Sequence, residues 1–325
     1  MQSADLRVIV VSHKVRQLLA ACLSTLYASA AADGLRSDVV VVDNASGDGS
    51  AEMVAASFAD ATLLCNERNL GFAAAINQGL EHLGYPDVPT RGKSAVRFSA
   101  EAAPVLLLNP DTEVRPGVLR LLVGDLARLP RAGVVAPGLR YADGTLQHSA
   151  FRFPGLAQTA LEFFPLSWRL TESRVNGRYS RQERAGEPFP CDHPLGAAML
   201  LRPQAIRDVG LLDDGFFMYC EEVDWCWRAR NLGWQVWSDP RAVIVHHSAR
   251  STAQSRSRMY VELWRSRYRL YGRQRGRLYL RLVKLLVRAG IARERARLTA
   301  QLKAGGLSAA AYHQQAEALA AVLAL

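Results

Sequence analysis

VLLLNPDTEV, residues 105–114, is the stretch on which the fold reading turns. Four apolar residues stop at Asn109-Pro110-Asp111. A run that short, bounded by proline, reads as a strand buried on both faces, because Pro110 cannot extend a hydrogen-bonded ladder. Asp111 then stands just beyond a strand's carboxyl end, where ligands bind in open α/β sheets. Asp and Thr are equally ordinary helix-start residues, so this stretch alone leaves open whether Asp111 binds a ligand or caps a following helix.

Reading outward, three more apolar runs precede it: LRVIVVS, SDVVVVDNASGDGS and ATLLCNERNLGF. Helical patterns lie between them, in VRQLLAACLSTLYAS, SAEMVAASF and AAAINQGLEHL. Strands alternating with helices mean a parallel sheet with polar loops along one edge. Residues 84–104 are rich in Pro, Gly and Ser without periodicity, and predict a mobile surface loop. Beyond Pro130, VVAPGLRYADGTLQHS reads as a hairpin about Ala-Asp-Gly, and residues 165–190 as irregular. GAAMLLRPQAI predicts another strand and helix, FFMYCEEVDWCWRARNLGW a dense polar cluster, and AVIVHHSARST a last strand. From Ser255 onward the chain reads as helix.

The 325 residues are 49% hydrophobic and 22% charged, as suits a soluble globular protein of one large domain or of one domain with an appendage. The five cysteines (Cys22, Cys65, Cys191, Cys220, Cys226) include no CxxC pair and read as free thiols of a reducing cytoplasm. No signal peptide or membrane-spanning segment is expected. Of the net charge of +10, residues 256–297 supply fourteen Lys or Arg against Glu262 and Glu294, a local +12, which leaves 10 − 12 = −2 elsewhere. The run RLYLRLVKLLVRAGIAR interleaves Leu and Val with Arg and Lys. That pattern suits a helix lying on an anionic membrane, and no nucleic-acid recognition motif accompanies it.

Strand-terminal polar groups collect on one edge: Ser12 and His13, Asp43 and Asn44, Asn69, Asp111. A nucleotide is the usual occupant of such a crevice. SGDGSAE offers Gly47 and Gly49, but Glu52 stands where a dinucleotide fingerprint needs its third glycine, so the dehydrogenase reading fails. GxxxxGK[ST] is absent as well, which leaves a divalent cation, with Asp111 as its carboxylate, to neutralise bound phosphates. In EEVDW, Asp224 faces Arg228 at i,i+4 and reads as a structural ion pair. Glu221 and Glu222, at the helix start, are each a candidate general base.

VVVVDNASGDGS, NLGFAAAINQG, LLLNPDTEV, GAAMLLRP, GLLDDGFFMYCEEVDWCWRARNLGW and VHHSARST, in that order, resemble the inverting family 2 glycosyltransferases of GT-A fold, and most of all their bacterial rhamnosyltransferase-like members. The resemblance spans about residues 6–252. It implies a Rossmann-like mixed sheet flanked by helices: a catalytic domain over 1–252 (nucleotide half 1–130, acceptor half 131–252), followed by a basic helical extension over 253–325. Carried onto this sequence, it makes Asp43 the recogniser of the donor's base or ribose, with Ser12, Asn44, Asn69, Asn77 and Asn109 lining the same pocket. Asp111 becomes the ligand of Mg²⁺ or Mn²⁺ in a variant Asp-x-Asp motif whose first position is Asn109, and His246 a second ligand, with the adjacent His247 as alternative. Glu222 is the implied base, with Glu221 as alternative. Read from the residues themselves, Gly196 and Ala197 let the backbone approach the transferred sugar or acceptor, or else serve close helix-to-sheet packing, and Trp225 stacks on the acceptor. Trp227, Trp234 and Trp237 read as core. The implied reaction moves a sugar, rhamnose from dTDP-rhamnose first, from a nucleotide-sugar donor to a lipid-linked or nascent polysaccharide acceptor at the inner face of the cytoplasmic membrane. The alternatives are a UDP-hexose or UDP-galactofuranose donor and a binding protein without turnover. A homo-oligomer is compatible with all of these.

Overall fold

The computed structural model describes residues 4–85, 102–248 and 256–325. Its strands are β1 (Leu6–Ser12), β2 (Ser37–Asp43), β3 (Thr62–Cys65), β4 (Val105–Leu108), β5 (Thr112–Val114), β6 (Ala132–Arg140), β7 (Leu146–Gln147), β8 (Ala150–Phe151), β9 (Phe189–Cys191), β10 (His193–Pro194), β11 (Ala198–Leu201) and β12 (Gln235–His246). The helices are α1 (Arg16–Asp33), α2 (Ser50–Ser57), α3 (Phe72–His82), α4 (Val118–Arg128), α5 (Leu156–Phe163), α6 (Trp168–Thr171), α7 (Ser180–Ala185), α8 (Pro203–Val209), α9 (Glu221–Asn231), α10 (Arg256–Gln274), α11 (Arg277–Lys303) and α12 (Ala309–Ala324). The loop expected over residues 84–104 falls mostly outside the described residues.

Two compact units result. The first comprises Met1–Phe151, Tyr179–Phe217 and Glu221–Ser251. Its main sheet runs β3-β2-β1-β4-β11-β6-β12-β5, with β7 on β6 and β9 on β12. Consecutive valines and leucines make β2 and β4 buried on both faces, as a covered parallel strand must be. β1 pairs in parallel with both β2 and β4, so strand order reverses beside β1. That reversal opens a crevice at the strands' carboxyl ends. The sheet is mixed, as expected, because β11 runs antiparallel to both β4 and β6, and β5 antiparallel to β12. On one sheet face, α1 inserts Leu19, Cys22, Leu23, Leu26 and Ala30, a three-to-four spacing, against the Val and Leu side chains of β1, β2 and β4. Each such Leu stabilises by about 1.5–3 kcal/mol through burial. α1 ends at Gly34, whose left-handed backbone lets its N–H reach the carbonyls of Ala30 and Ala31.

The second unit is helical: Arg152–Arg178, Met218–Cys220 and Thr252–Leu325. The basic extension therefore does not stand alone, and residues 165–190 are not irregular throughout, since α6 and α7 form there. The reason for the first difference is apolar packing. Phe163 of α5 stacks on Trp264 of α10 at 5.5 Å, and a Cβ on Gly290 of α11 would lie 2.2 Å from Phe163, so only glycine admits that ring. Val283, Val287, Ile291 and Leu298 of α11 complete this core with Tyr268, Tyr271, Leu319 and Val322. Among the described residues no helix is long and apolar enough to cross a membrane.

Candidate active site

The Asn-Pro-Asp turn links β4 directly to β5, and α4 begins only at Val118. Asp111 therefore caps no helix. Asn109 N–H extends the β4–β11 pairing by donating to Ala197 O at 2.9 Å. Asn109 O accepts from Thr112 Oγ1 at 2.7 Å and lies 3.5 Å from Cys22 Sγ. Burial pushes the Cys22 thiol up to about 12, so it backs the turn as a neutral group. β5 pairs with the end of β12, with Thr112 opposite His246, and His247 N–H donates to Asp111 O at 2.9 Å. This register brings His246 Nε2 to 3.3 Å from Asp111 Oδ1, both side chains nearly buried. His247 turns instead to Glu113, 2.7 Å from its Oε1. The two adjacent histidines thus serve different carboxylates.

His246 Nδ1 faces Gln147 Oε1 at 3.1 Å. A neutral ring that donates Nδ1–H to Gln147 presents the lone pair of Nε2 to Asp111. An imidazole lone pair beside a carboxylate is an arrangement that suits a shared cation, and the outer hydrogen bond is the usual device for orienting a ligating histidine. Gln147 is buried and lies in β7, next to His148, whose Nδ1 sits 2.6 Å from Glu183 Oε2. Glu183 Oε1 also accepts from the N–H groups of Ser149 (2.7 Å) and Ala150 (3.1 Å). Burial acts to raise the Glu183 carboxyl, but His148 and these backbone donors outweigh it and hold it below the usual range. Sequence reasoning missed both, Gln147 because TLQHS reads only as the second arm of a hairpin and Glu183 because residues 165–190 read as irregular.

Ser12 and Asp43 are register partners at the ends of β1 and β2. Asp43 Oδ2 accepts from Ser46 N–H at 3.2 Å. Ser12 Oγ, Asp43 Oδ1 and Asn109 Oδ1 are buried with no hydrogen-bond partner among the described residues. Three such oxygens along one crevice are the counterpart of a polar ligand, since a buried unsatisfied oxygen costs about 1–3 kcal/mol. Lys14, Ala45 and Ser248, each two residues past the end of β1, β2 or β12, adopt φ of +56°, +59° and +43°. Left-handed non-glycine residues cost about 1–3 kcal/mol each and gather where function fixes the backbone.

Three residues expected on the donor have other employment. Asn44 Oδ1 accepts from Asn66 Nδ2 (3.1 Å) and Leu70 N–H (3.0 Å), while Asn44 Nδ2 donates to Asn69 Oδ1 (3.0 Å) and Gly71 O (3.1 Å). All four hydrogen-bonding positions of the amide are filled. Asn69 Oδ1 also accepts from Gly71 N–H at 2.9 Å. Gly71 is held at φ +89° with Phe217 O only 2.5 Å from where a Cβ would lie. Asn77 closes a two-bond clamp on the backbone of Leu212, at 2.9 and 3.0 Å. The Asn44 and Asn77 amides shape the loops beside the crevice, while the exposed Asn69 commits its Oδ1 to the same loop.

At the start of α9, Glu221 is buried and its Oε2 has no partner among the described residues. Burial, with the neighbouring charge of Glu222 adding to it, pushes its carboxyl well above the usual range. Glu222 is half-buried and lines a small pocket with Phe72, Leu107, Gly196, Met199, Leu212 and Trp225. A Cβ on Gly196 would rest 3.4 Å from the Glu222 side chain, so Gly196 faces the carboxylate, and Ala197 is buried in the sheet. Trp225 is 1% exposed and donates its indole N–H to Gly210 O at 2.9 Å. Its expected stacking on an acceptor gives way to a place in the pocket wall. Asp224 is buried against Arg228 at 2.9 Å, as the i,i+4 spacing predicts.

A mixed sheet with this switch-point crevice, a carboxylate turn after β4 and an acidic start to α9 is the arrangement of a GT-A glycosyltransferase fold. The chain belongs to the family described as glycosyl transferase family 2, whose model matches residues 7–153, and it is a glycosyltransferase. It is 30% identical over 225 residues to the N-acetylglucosaminyl-diphospho-decaprenol L-rhamnosyltransferase of Mycobacterium tuberculosis (strain CDC 1551 / Oshkosh), a match covering 66% of this chain and 68% of the relative. The low-salt glycan biosynthesis hexosyltransferase Agl10 of Haloferax volcanii is 23% identical over 226 residues, 70% of this chain and 62% of that protein. Among solved structures, the mannosyltransferase PcManGT from Pyrobaculum calidifontis, in complex with GDP-Man and Mn²⁺, superposes with a TM-score of 0.57 at 17% identity, over 99% of this chain and 86% of that one. That last likeness bears on the fold alone.

Proposed function

We propose that the chain is an inverting, divalent-cation-dependent rhamnosyltransferase, drawing on dTDP-rhamnose and extending a lipid-linked acceptor of a cell-surface polysaccharide. The observation that carries this reading is the Asp111–His246 pair beside three buried oxygens without partners. One carboxylate and one imidazole suit Mg²⁺ or Mn²⁺. No cluster of three or more Asp, Glu, His or Cys that could hold a metal is present among the described residues, so donor phosphates and water would complete the coordination. A cation bound there would offset the charge that develops on the departing diphosphate. Ser12 Oγ and Asp43 Oδ1 would meet the hydroxyl or N–H groups of the nucleoside.

Glu222 would take the proton from the acceptor hydroxyl as that oxygen attacks the anomeric carbon opposite the diphosphate, which inverts the configuration. One feature favours it over Glu221: Glu222 lines the pocket, whereas Glu221 is buried behind it. The sugar and lipid diphosphate in the Mycobacterium relative's name support the same donor and acceptor class, and such an acceptor would bring the enzyme to the inner face of the membrane.

The test is nucleotide diphosphate release from a panel of nucleotide sugars, in the presence of a lipid-diphosphate-linked sugar as acceptor, with and without Mn²⁺. Release from dTDP-rhamnose that needs the metal is expected. Release from a UDP-hexose or UDP-galactofuranose alone would replace the donor. Binding without release from any of them would leave only a nucleotide-sugar-binding protein.

A further inference from the structure

The helical unit carries an apolar stripe that its own core does not use. Along α11 the side chains of Val283, Val287, Ile291 and Leu298 point into that core. On the far side, Leu278, Leu282 and Leu285 are 72%, 46% and 59% exposed. At 100° per residue these three fall within about 60° of one another and roughly opposite the buried face, and the exposed Ala289 and Ala292 continue their line. α11 therefore has two apolar faces, one of them without a partner within its unit. Of the eight large hydrophobic residues that stand well exposed among the described residues, seven (all but Tyr141) belong to the helical unit, Leu166 and Trp168 among them.

Charge identifies what fits that stripe. Arg277, Arg281, Arg288 and Arg295 are exposed and border it on one side by the same helical geometry. No Asp or Glu occurs between Arg277 and Arg293. Leucines at the centre with arginines at the margin match an anionic lipid surface, where the leucines enter the acyl boundary and the arginines meet headgroup phosphates. A protein partner would call for carboxylates opposite those arginines, and a second copy of α11 would bring arginine against arginine.

We propose that the Leu278–Leu282–Leu285 face of α11 is a docking surface for anionic phospholipid bilayers. This deepens the reading of a lipid-linked acceptor by naming the surface that meets the membrane, yet it stands on the helical unit alone. Full-length protein and two variants, Leu278→Ser/Leu282→Ser/Leu285→Ser and Arg281→Gln/Arg288→Gln, would be sedimented with vesicles of phosphatidylcholine with or without 30% phosphatidylglycerol, at low and high salt. The wild type should partition onto the phosphatidylglycerol vesicles and be released by salt, since the attraction is screened over about 8–10 Å. Three leucines each transferring apolar surface should make the serine variant bind at least about tenfold more weakly. The arginine variant should lose the preference for anionic lipid. Because all five positions are exposed, melting temperatures should match the wild type. Equal partitioning of wild type and serine variant, or no preference for phosphatidylglycerol, would overturn the proposal. So would a dimeric wild type that becomes monomeric in the serine variant while vesicle binding stays the same. Nucleotide diphosphate release by the same proteins in detergent separates this result from the donor reading, which could fail independently.

Discussion

Replacing Asn44 with alanine should destabilise the sheet unit by about 2–4 kcal/mol, rather than act through donor affinity. Four hydrogen bonds between 3.0 and 3.1 Å are lost at once. At a net 0.5–1.5 kcal/mol each, the sum is about 2–6 kcal/mol. Water reaching the vacated loops lowers the upper bound, while the abandoned Leu70 N–H and Gly71 O keep the loss from vanishing. For a unit of this size each kcal/mol moves the melting temperature by roughly 2–4 °C, so a fall of about 4–15 °C is expected. Asn44→Asp is the sharper variant: it keeps both acceptor positions but sets a carboxylate oxygen against Asn69 Oδ1 and Gly71 O, and should forfeit at least half of that stability. Thermal melts read the stability, and calorimetric titration with donor and Mn²⁺ reads the site. An unchanged melting temperature with donor affinity reduced tenfold would refute the reasoning and return Asn44 to direct contact with the nucleotide.

Asp111→Asn should fold and lose metal-dependent donor binding; unchanged calorimetric affinity would remove Asp111 from the metal site. Glu222→Gln should bind donor normally and transfer about a hundredfold to ten-thousandfold more slowly; a dead Glu221→Gln beside an active Glu222→Gln would move the base by one residue. Gln147→Leu should weaken Mn²⁺ affinity by about 10–100-fold through loss of the His246 orientation, measured by titration in the presence of nucleoside diphosphate, with Gln147→Glu recovering much of it. Glu183, held below the usual carboxylate range, contributes stability that is present above its unfolded pKa and is lost as pH falls through the folded one. Unfolding titrations from pH 6 downward should therefore show a steeper acid-side loss in the wild type than in Glu183→Gln, and parallel curves would contradict it.

The sequence carried the first half of the fold because that half is periodic. Runs such as VVVV and VLLL can be satisfied only by burial on both faces, and the polar residue ending each run marks the edge where β1, β2 and β4 open. What it could not carry is how a polar side chain divides itself among partners. Asn44 and Asn77 stand where a nucleotide should lie, and nothing local distinguishes an amide that reads a ligand from one that ties residue 44 to residues 66–71 or residue 77 to residue 212. The same blindness hid Gln147, a hairpin residue in sequence, which reaches His246 across 99 positions because β7 and β12 both pair with β6. It also misplaced the boundary of the helical unit. Residues 152–178 look like loop and short helix until Phe163 meets Gly290 on α11, a pairing 127 residues apart that no pattern in either segment announces. Burying Val283, Val287 and Ile291 inside their own unit removes them from any membrane contact, so the reading of the whole RLYLRLVKLLVRAGIAR run as a lipid-facing helix narrows to its opposite side. Adsorption should then follow Leu278, Leu282 and Leu285, while Val283→Ala should lower the stability of the helical unit by about 1 kcal/mol or more and leave vesicle binding unchanged.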